Sequence, residues 1–237
     1  MKKSELILFD KIITHSNDVI ENVLSSIESG NDLLLTYFNQ HCFNVYWEDK
    51  NYKKNINDNF TVYLDGYGLY FVLKYIFYKK SEKFNASEIN SEILKYLITS
   101  KKKVIIIGGR FTDEIINTNA LKVEHYFNGY EDTENIDQMI EIIKSLKTKI
   151  IIIGMGVPLQ EKIAFELSKR INGLQIICVG NFLEFYFGTI KRAPKFLHNS
   201  GFEWVFRLLT EPRRLWKRYL IGIPVFIFRV LIMKFRH

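Results

Sequence analysis

Two unbroken β-branched runs, Val104-Ile105-Ile106-Ile107 and Ile150-Ile151-Ile152-Ile153, constrain this chain most, because neither face of such a strand is suited to water. A strand with one solvated face alternates apolar and polar side chains, whereas a strand covered by helices on both faces need not. The expected fold is α/β: a Rossmann-like, mostly parallel sheet flanked by helices. The order of elements agrees. Helical spacing over residues 17–27 precedes a strand at 33–38, and a polar loop over 48–59, rich in Asn, Lys and Asp, leads to a strand at 60–64 closed by Asp65-Gly66. Residues 67–78 are apolar nearly all round and predict a buried helix. Ser87 is the expected N-cap of a helix over 88–99. Beyond it, strands at 103–107, 121–127, 149–153 and 174–179 alternate with helices near 112–119, 136–146 and 159–171.

Charge divides the chain at Lys191. Residues 191–237 hold eleven Lys or Arg against Glu203 and Glu211, a local +9, whereas the whole chain carries +7 and residues 1–190 therefore −2. Two units are expected: an α/β body over 1–190 and a basic, aromatic helical appendage over 191–237. In the appendage one helix lies around 201–209, and Thr210 opens a second with Pro212 in its first turn. Its cations are interleaved with Trp204, Trp216, Tyr219, Phe226, Phe228 and Phe235, a composition suited to phosphates, anionic lipid or both. The apolar run 220–228 falls short of the ~20 residues of a membrane span and contains Pro224. It can lie on a bilayer, with Arg213, Arg214, Lys217, Arg218, Arg229, Lys234 and Arg236 at the headgroups, or dock on the body or on another subunit; a homo-oligomer is compatible with either.

Nucleic acid is a disfavoured partner, since long aliphatics are mixed into the basic tail and no recognition fold is evident. Asp10 and Lys11 break the N-terminal apolar stretch before a signal-peptide core forms, and Cys42 and Cys178 lack metal or redox spacing. The expected location is the cytoplasm, peripheral on the inner face of the cell membrane.

Glycines close three strands, at Gly108-Gly109, Gly154-Met155-Gly156 and Gly180, where a nucleotide phosphate could approach the backbone. Equally, each could be only a tight turn. The dinucleotide fingerprint is broken by Leu159, and no acid follows Ile177-Cys178, which disfavours a nicotinamide enzyme. Asp65, ahead of Gly66-Tyr67-Gly68, can face a cleft and accept a proton, although the residues alone favour an Asp-Gly turn. Thr36 and Asn39 end the neighbouring strand and offer hydrogen bonds to sugar hydroxyls or to a turn. His41 receives no catalytic role. Asp132 and Glu134 read as helix-capping acids rather than metal ligands, and guanidinium groups of the tail can take the place of a cation.

Six segments in order resemble one family: Asp65-Gly66 with Gly68; Phe127-Asn128-Gly129-Tyr130; Gly154-Met155-Gly156-Val157-Pro158-Leu159-Gln160-Glu161; Arg192-Ala193-Pro194; Gly201-Phe202-Glu203-Trp204 with Arg207-Leu208; and Glu211-Pro212-Arg213-Arg214 before Arg218-Tyr219. Over about residues 36–219 the chain resembles the WecG/TagA/CpsF glycosyltransferases, which move a sugar from a UDP donor to a lipid-linked acceptor in bacterial surface polysaccharide synthesis. The resemblance implies an inverting transfer with neither metal nor other cofactor, in which Asp65 is the general base on the acceptor hydroxyl. It also implies that Tyr130 stacks on uracil, that Gln160 binds the nucleotide or its phosphates, and that Arg207 and Arg214 close over the site to neutralise the departing UDP. Gly154 and Gly156 belong to the donor-binding segment, and Thr36 and Asn39 to a Thr-x-Asn pair here stretched by one residue. Three further positions depart from the pattern: Glu184 stands for a ribose-binding aspartate, and Lys83 and Lys217 stand where arginines are usual, keeping charge but losing the bidentate fork. The implied partners are a UDP-sugar, an undecaprenyl-diphosphate-linked saccharide and an anionic membrane surface. A nucleotide-binding membrane adaptor without turnover is the alternative.

Overall fold

The computed structural model describes residues 4–190 and 203–235, so Arg192-Ala193-Pro194, Gly201-Phe202 and Arg236 lie outside the described residues. Strands β1 (Leu33–Phe38), β2 (Thr61–Leu64), β3 (Lys103–Gly108), β4 (Lys122–Phe127), β5 (Ile150–Gly154) and β6 (Gln175–Cys178) form one sheet in the order β2-β1-β6-β5-β3-β4. Every pairing is parallel. The isoleucine-rich runs occupy β3 and β5 and are buried throughout, as strands covered on both faces must be. Helices α2 (Ser16–Ser29) and α6 (Ala86–Thr99) pack together, as do α4 (Lys50–Asn59) and α9 (Leu159–Ser168), and α9 also contacts β1, β5 and β6. The connection after β3 runs outward to β4 while that after β5 runs the other way to β6, so the topological switch point lies between β3 and β5.

Three local expectations are corrected. The segment 48–59 is not a loop: α3 (Gln40–Glu48) runs almost directly into α4, whose N-cap Asp49 accepts from the Asn51 and Tyr52 amides. Its Asn and Asp content suggests a loop, yet Tyr52 and Ile56, four apart on one face, are buried and hold the helix to the core. Residues 67–78 are not a buried helix either. Short α5 (Tyr67–Phe71) passes into a π-helical turn, Val72–Ile76, and leaves Tyr67, Phe71, Tyr75 and Tyr78 exposed. Finally, Asn85 rather than Ser87 caps α6, in a reciprocal capping box with Glu88.

The appendage is helical from Glu203: α11 (Glu203–Thr210), α12 (Pro212–Trp216) capped by Glu211 instead of Thr210, a second π-helical turn (Lys217–Ile221) and α13 (Gly222–Phe235). Of the two fates open to it, docking on the body is what its described residues adopt. Helix α13 lies on α3: Phe226 meets the Phe43 ring edge-on at 5.3 Å, Asn44 donates to the Gly222 carbonyl at 2.7 Å, and Arg229 donates to the Asn44 carbonyl at 3.1 Å and to Glu48 at 2.5 Å. Lys234 donates to the Ile76 carbonyl at 2.9 Å, tying the end of α13 to the π-helical turn after α5. Among the described residues no helix is long and apolar enough to cross a membrane.

Close backbone packing fixes the switch point. Gly108 ends β3 at φ +124°, and a Cβ there would lie 2.3 Å from the Gly154 carbonyl oxygen. Gly108→Ala therefore combines a strained φ with a backbone clash, and its expected cost is at least about 3 kcal/mol. The urea midpoint measures this; an unchanged midpoint would mean that β3 and β5 can part without penalty.

Candidate active site

The carboxyl ends of β1 and β2 position the first acid. Asp65 follows β2 directly, and its amide donates to the Phe38 carbonyl at 2.9 Å, which holds the two strand ends side by side. Its carboxylate accepts from the Asn39 side-chain amide and from the Ala86 backbone amide, each at 2.9 Å. Asn39 cannot easily turn over, because its own carbonyl oxygen caps α3 by accepting from the His41 and Cys42 amides at 3.0 and 3.2 Å. Asp65 is thus oriented from two sides. It lines a cavity of about 530 Å³, within the size range of small-molecule sites.

The opposite wall of that cavity comes from the appendage. Trp204, Arg207, Arg218 and Tyr219 line it together with Asp65, Asn39, Lys83 and Asn181. The guanidinium of Arg207 lies over the Phe185 ring at 5.5 Å and that of Arg218 by the Tyr219 ring at 5.8 Å, and the Nε atoms of both are buried without a hydrogen-bond partner. The Lys83 ammonium lies 5.1 Å from the Tyr67 ring centre. Such a site has a carboxylate able to accept a proton facing cations able to hold an anionic group.

A second array, outside the cavity lining, is fully buried. Thr36 donates to Glu161 Oε1 at 2.7 Å, Gln160 Nε2 donates to the same oxygen at 2.8 Å, and the Gly180 amide donates to Gln160 Oε1 at 3.0 Å. Strand β1 and the turn after β6 are thereby tied to the first turn of α9. Glu161 Oε2 has no partner, and burial pushes the Glu161 carboxyl up to about 7 against the opposing effect of its hydrogen bonds. Burial and the nearby Arg218 charge lower His41 to about 4, so its ring is neutral at pH 7.

The expected site residues thus fall into groups. Asp65, Asn39, Lys83 and Arg207 meet at the cavity, although Asn39 holds the aspartate as well as facing the space. Thr36 and Gln160 are not in the cavity lining, and their side chains are hydrogen-bonded to Glu161 and the Gly180 amide. Gly154 is packed: a Cβ there would meet the Leu183 side chain at 2.5 Å, whereas Gly156 looks into open space. Tyr130 follows β4 at the far edge of the sheet, exposed, with the Arg110 guanidinium 4.6 Å from its ring centre. Glu184 stands apart from the cavity lining beside Arg214, Arg207 and Glu211; desolvation raises its carboxyl and the two arginines act against that rise. Arg214 is ion-paired with Glu211 at 2.5 Å and Lys217 lies over the Trp216 ring at 5.6 Å, and neither is in the cavity lining. Arg218, expected at the headgroups from the sequence, lines the cavity instead, and Glu161 is a buried acid to which sequence reading assigned no role. Both sit inside the motifs quoted above, which was the available signal.

A family model described as Glycosyl transferase WecG/TagA/CpsF family matches residues 8–237. The chain belongs to this family. Relatives from Staphylococcus aureus strains NCTC 8325 / PS 47, COL and MRSA252 are each 25% identical over 224 residues, covering 90% of this chain and 85% of the relative. Each is named N-acetylglucosaminyldiphosphoundecaprenol N-acetyl-beta-D-mannosaminyltransferase. In this WecG/TagA/CpsF member the matched region includes both walls of the cavity, the Asp65 wall and the arginine wall.

Proposed function

We propose that this glycosyltransferase family member moves an N-acetylmannosamine-type sugar from UDP to an undecaprenyl-diphosphate-linked saccharide, inverting the anomeric centre and using no metal. One observation carries the reading: Asp65 from the end of β2 and Arg207 and Arg218 from the appendage line one cavity. Asp65 accepts the proton of the acceptor hydroxyl as that oxygen attacks the anomeric carbon, and the bond from that carbon to the β-phosphate oxygen breaks with its electron pair. The leaving UDP gains negative charge as the bond breaks, and Arg207, Arg218 and Lys83 stabilise it without a bound cation. A single displacement on an α-linked sugar nucleotide gives a β product, the linkage in the names of the Staphylococcus aureus relatives.

The donor lies along the carboxyl edge of the sheet, its uridine toward the β3/β5 switch point and Tyr130 and its sugar toward Asp65. The appendage serves as the cavity's second wall, excludes water, and places its remaining cations, including Arg213 and Lys217, against an anionic membrane surface on the cytoplasmic side.

The test is transfer from a panel of UDP-sugars, with and without lipid-linked N-acetylglucosamine, in the presence of EDTA. Acceptor-dependent transfer giving a β linkage is expected, and Arg207→Ala should lower kcat by about 10²- to 10³-fold. UDP binding without transfer to any acceptor would establish the adaptor reading instead.

A further inference from the structure

The cavity has two chemically different ends. Its charged lining residues, Asp65, Lys83, Glu203, Arg207 and Arg218, come from the β2 end, the loop before α6 and the first part of the appendage. The part of the wall where α5 and its π-helical turn face α13 is apolar, away from the polar Asn39, Asn85 and Asn181: Phe71, Val72 and Ile76 on one side, Ile227, Val230 and Leu231 on the other. Val72 and Val230 are buried, but Phe71, Ile227 and Leu231 stay 46%, 50% and 41% exposed, so large apolar side chains line the space and remain wet. Segments some 150 residues apart in sequence are joined across this region by the Lys234 hydrogen bond to the Ile76 carbonyl, which makes the apolar part a cleft between two helices rather than a flat face.

From this division we infer that the cleft between α5 and α13 receives the head-proximal isoprene units of the lipid-linked acceptor's polyprenyl chain, with the diphosphate at the arginine end of the same cavity. The inference rests on the proposed transfer to a lipid-linked saccharide and assigns the lipid its own subsite. Charge complementarity fixes the polarity of the occupant: its anionic head belongs toward the cationic end of the cavity, beside the cations that meet the donor, and only hydrocarbon suits the apolar walls of the cleft. Concavity fixes its number. One flexible chain can enter a cleft between two helices, whereas the plane of a bilayer cannot, so the occupant is part of a single lipid chain, which removes Phe71, Ile227 and Leu231 from water.

The probe is undecaprenyl phosphate in non-ionic detergent, titrated while following the fluorescence of the cavity residue Trp204. Wild type should bind it saturably and at least tenfold more tightly than geranyl phosphate, which has the same head and a short chain. Ile227→Asp should weaken undecaprenyl phosphate at least tenfold and leave geranyl phosphate and UDP unaffected, while Ile227→Met restores binding. Leu231→Asp, at another half-exposed position, is the second variant should the first not fold. Equal affinity for the two chain lengths, undiminished binding in the aspartate variants, or full displacement of the probe by phosphatidylglycerol vesicles would overturn the assignment, the last in favour of bilayer docking. Binding of this probe needs neither donor nor turnover, so its failure is distinct from failure of the transfer assay.

Discussion

Asp65→Asn is expected to lower transfer by about 10²- to 10⁴-fold, the range of a lost general base, with the KM for the UDP-sugar little changed. The substitution also has a structural cost that can be separated from the catalytic one. The new amide must point its NH2 either at the Asn39 side-chain amide or at the Ala86 N–H, and both are donors. Asn39 cannot relieve the conflict by turning over, because its carbonyl oxygen caps α3. About 1–3 kcal/mol of stability should be lost for one donor facing another in a partly buried site. Adding Asn39→Asp repairs the network: the residue-65 amide then donates to the new carboxylate, which still caps α3. The double variant should regain stability in urea denaturation yet remain deficient in turnover. Recovery of turnover along with stability would show that Asp65 acts by its hydrogen bonds and not as the base.

Glu161→Gln should change how stability depends on pH. Burial raises the Glu161 carboxyl from 4.5 to about 7, so the folded protein holds that proton more tightly than the unfolded chain. The stability it confers is complete below about pH 4.5, is lost as pH rises toward 7, and changes no further above. Glutamine has no proton to lose. Relative to wild type, the variant should gain about 3 kcal/mol between pH 4.5 and 7. His41 works in the opposite direction: its pKa is depressed from 6.5 to about 4, so its contribution is complete above pH 6.5 and is lost on acidification through 4. In wild type the two groups oppose each other between about pH 4.5 and 6.5, and removing Glu161 leaves the His41 slope unopposed. Urea midpoints at four pH values from 4.5 to 7.5 measure the difference, and parallel curves for the two proteins would mean that Glu161 is not titrating in its buried setting.

The strands were legible because a run such as Ile150-Ile151-Ile152-Ile153 has no use for water on either side, and that preference is written locally. Spatial order was not. Thr36 and Glu161 are 125 residues apart, and only the placement of β1 above the first turn of α9 turns a strand-end threonine and a helical glutamate into partners. Gln160 is a similar case: nothing local reveals that the Gly180 amide reaches its carbonyl oxygen. The two π-helical turns explain another part of the difference. Helical periodicity at 3.6 residues cannot anticipate that Lys217–Ile221 will be wound more widely, so the sequence does not say that Arg218 enters the cavity while Lys217 lies over Trp216. The fate of α13 was ambiguous in a different way. Phe226 and Val230 would be equally at home in lipid or against Phe43, and composition does not distinguish the two solvents.

The two walls of the cavity are also separated in time. During synthesis Asp65 emerges early, and all six strands can pair before Glu203 has left the ribosome, whereas Arg207, Arg218 and Val230 follow them. A growing chain can therefore possess a finished sheet and an open cleft with no second side. The site is completed when α13 settles on α3 through Asn44 and Arg229, so a half-made polypeptide has the proposed base in place but nothing yet to hold a leaving group.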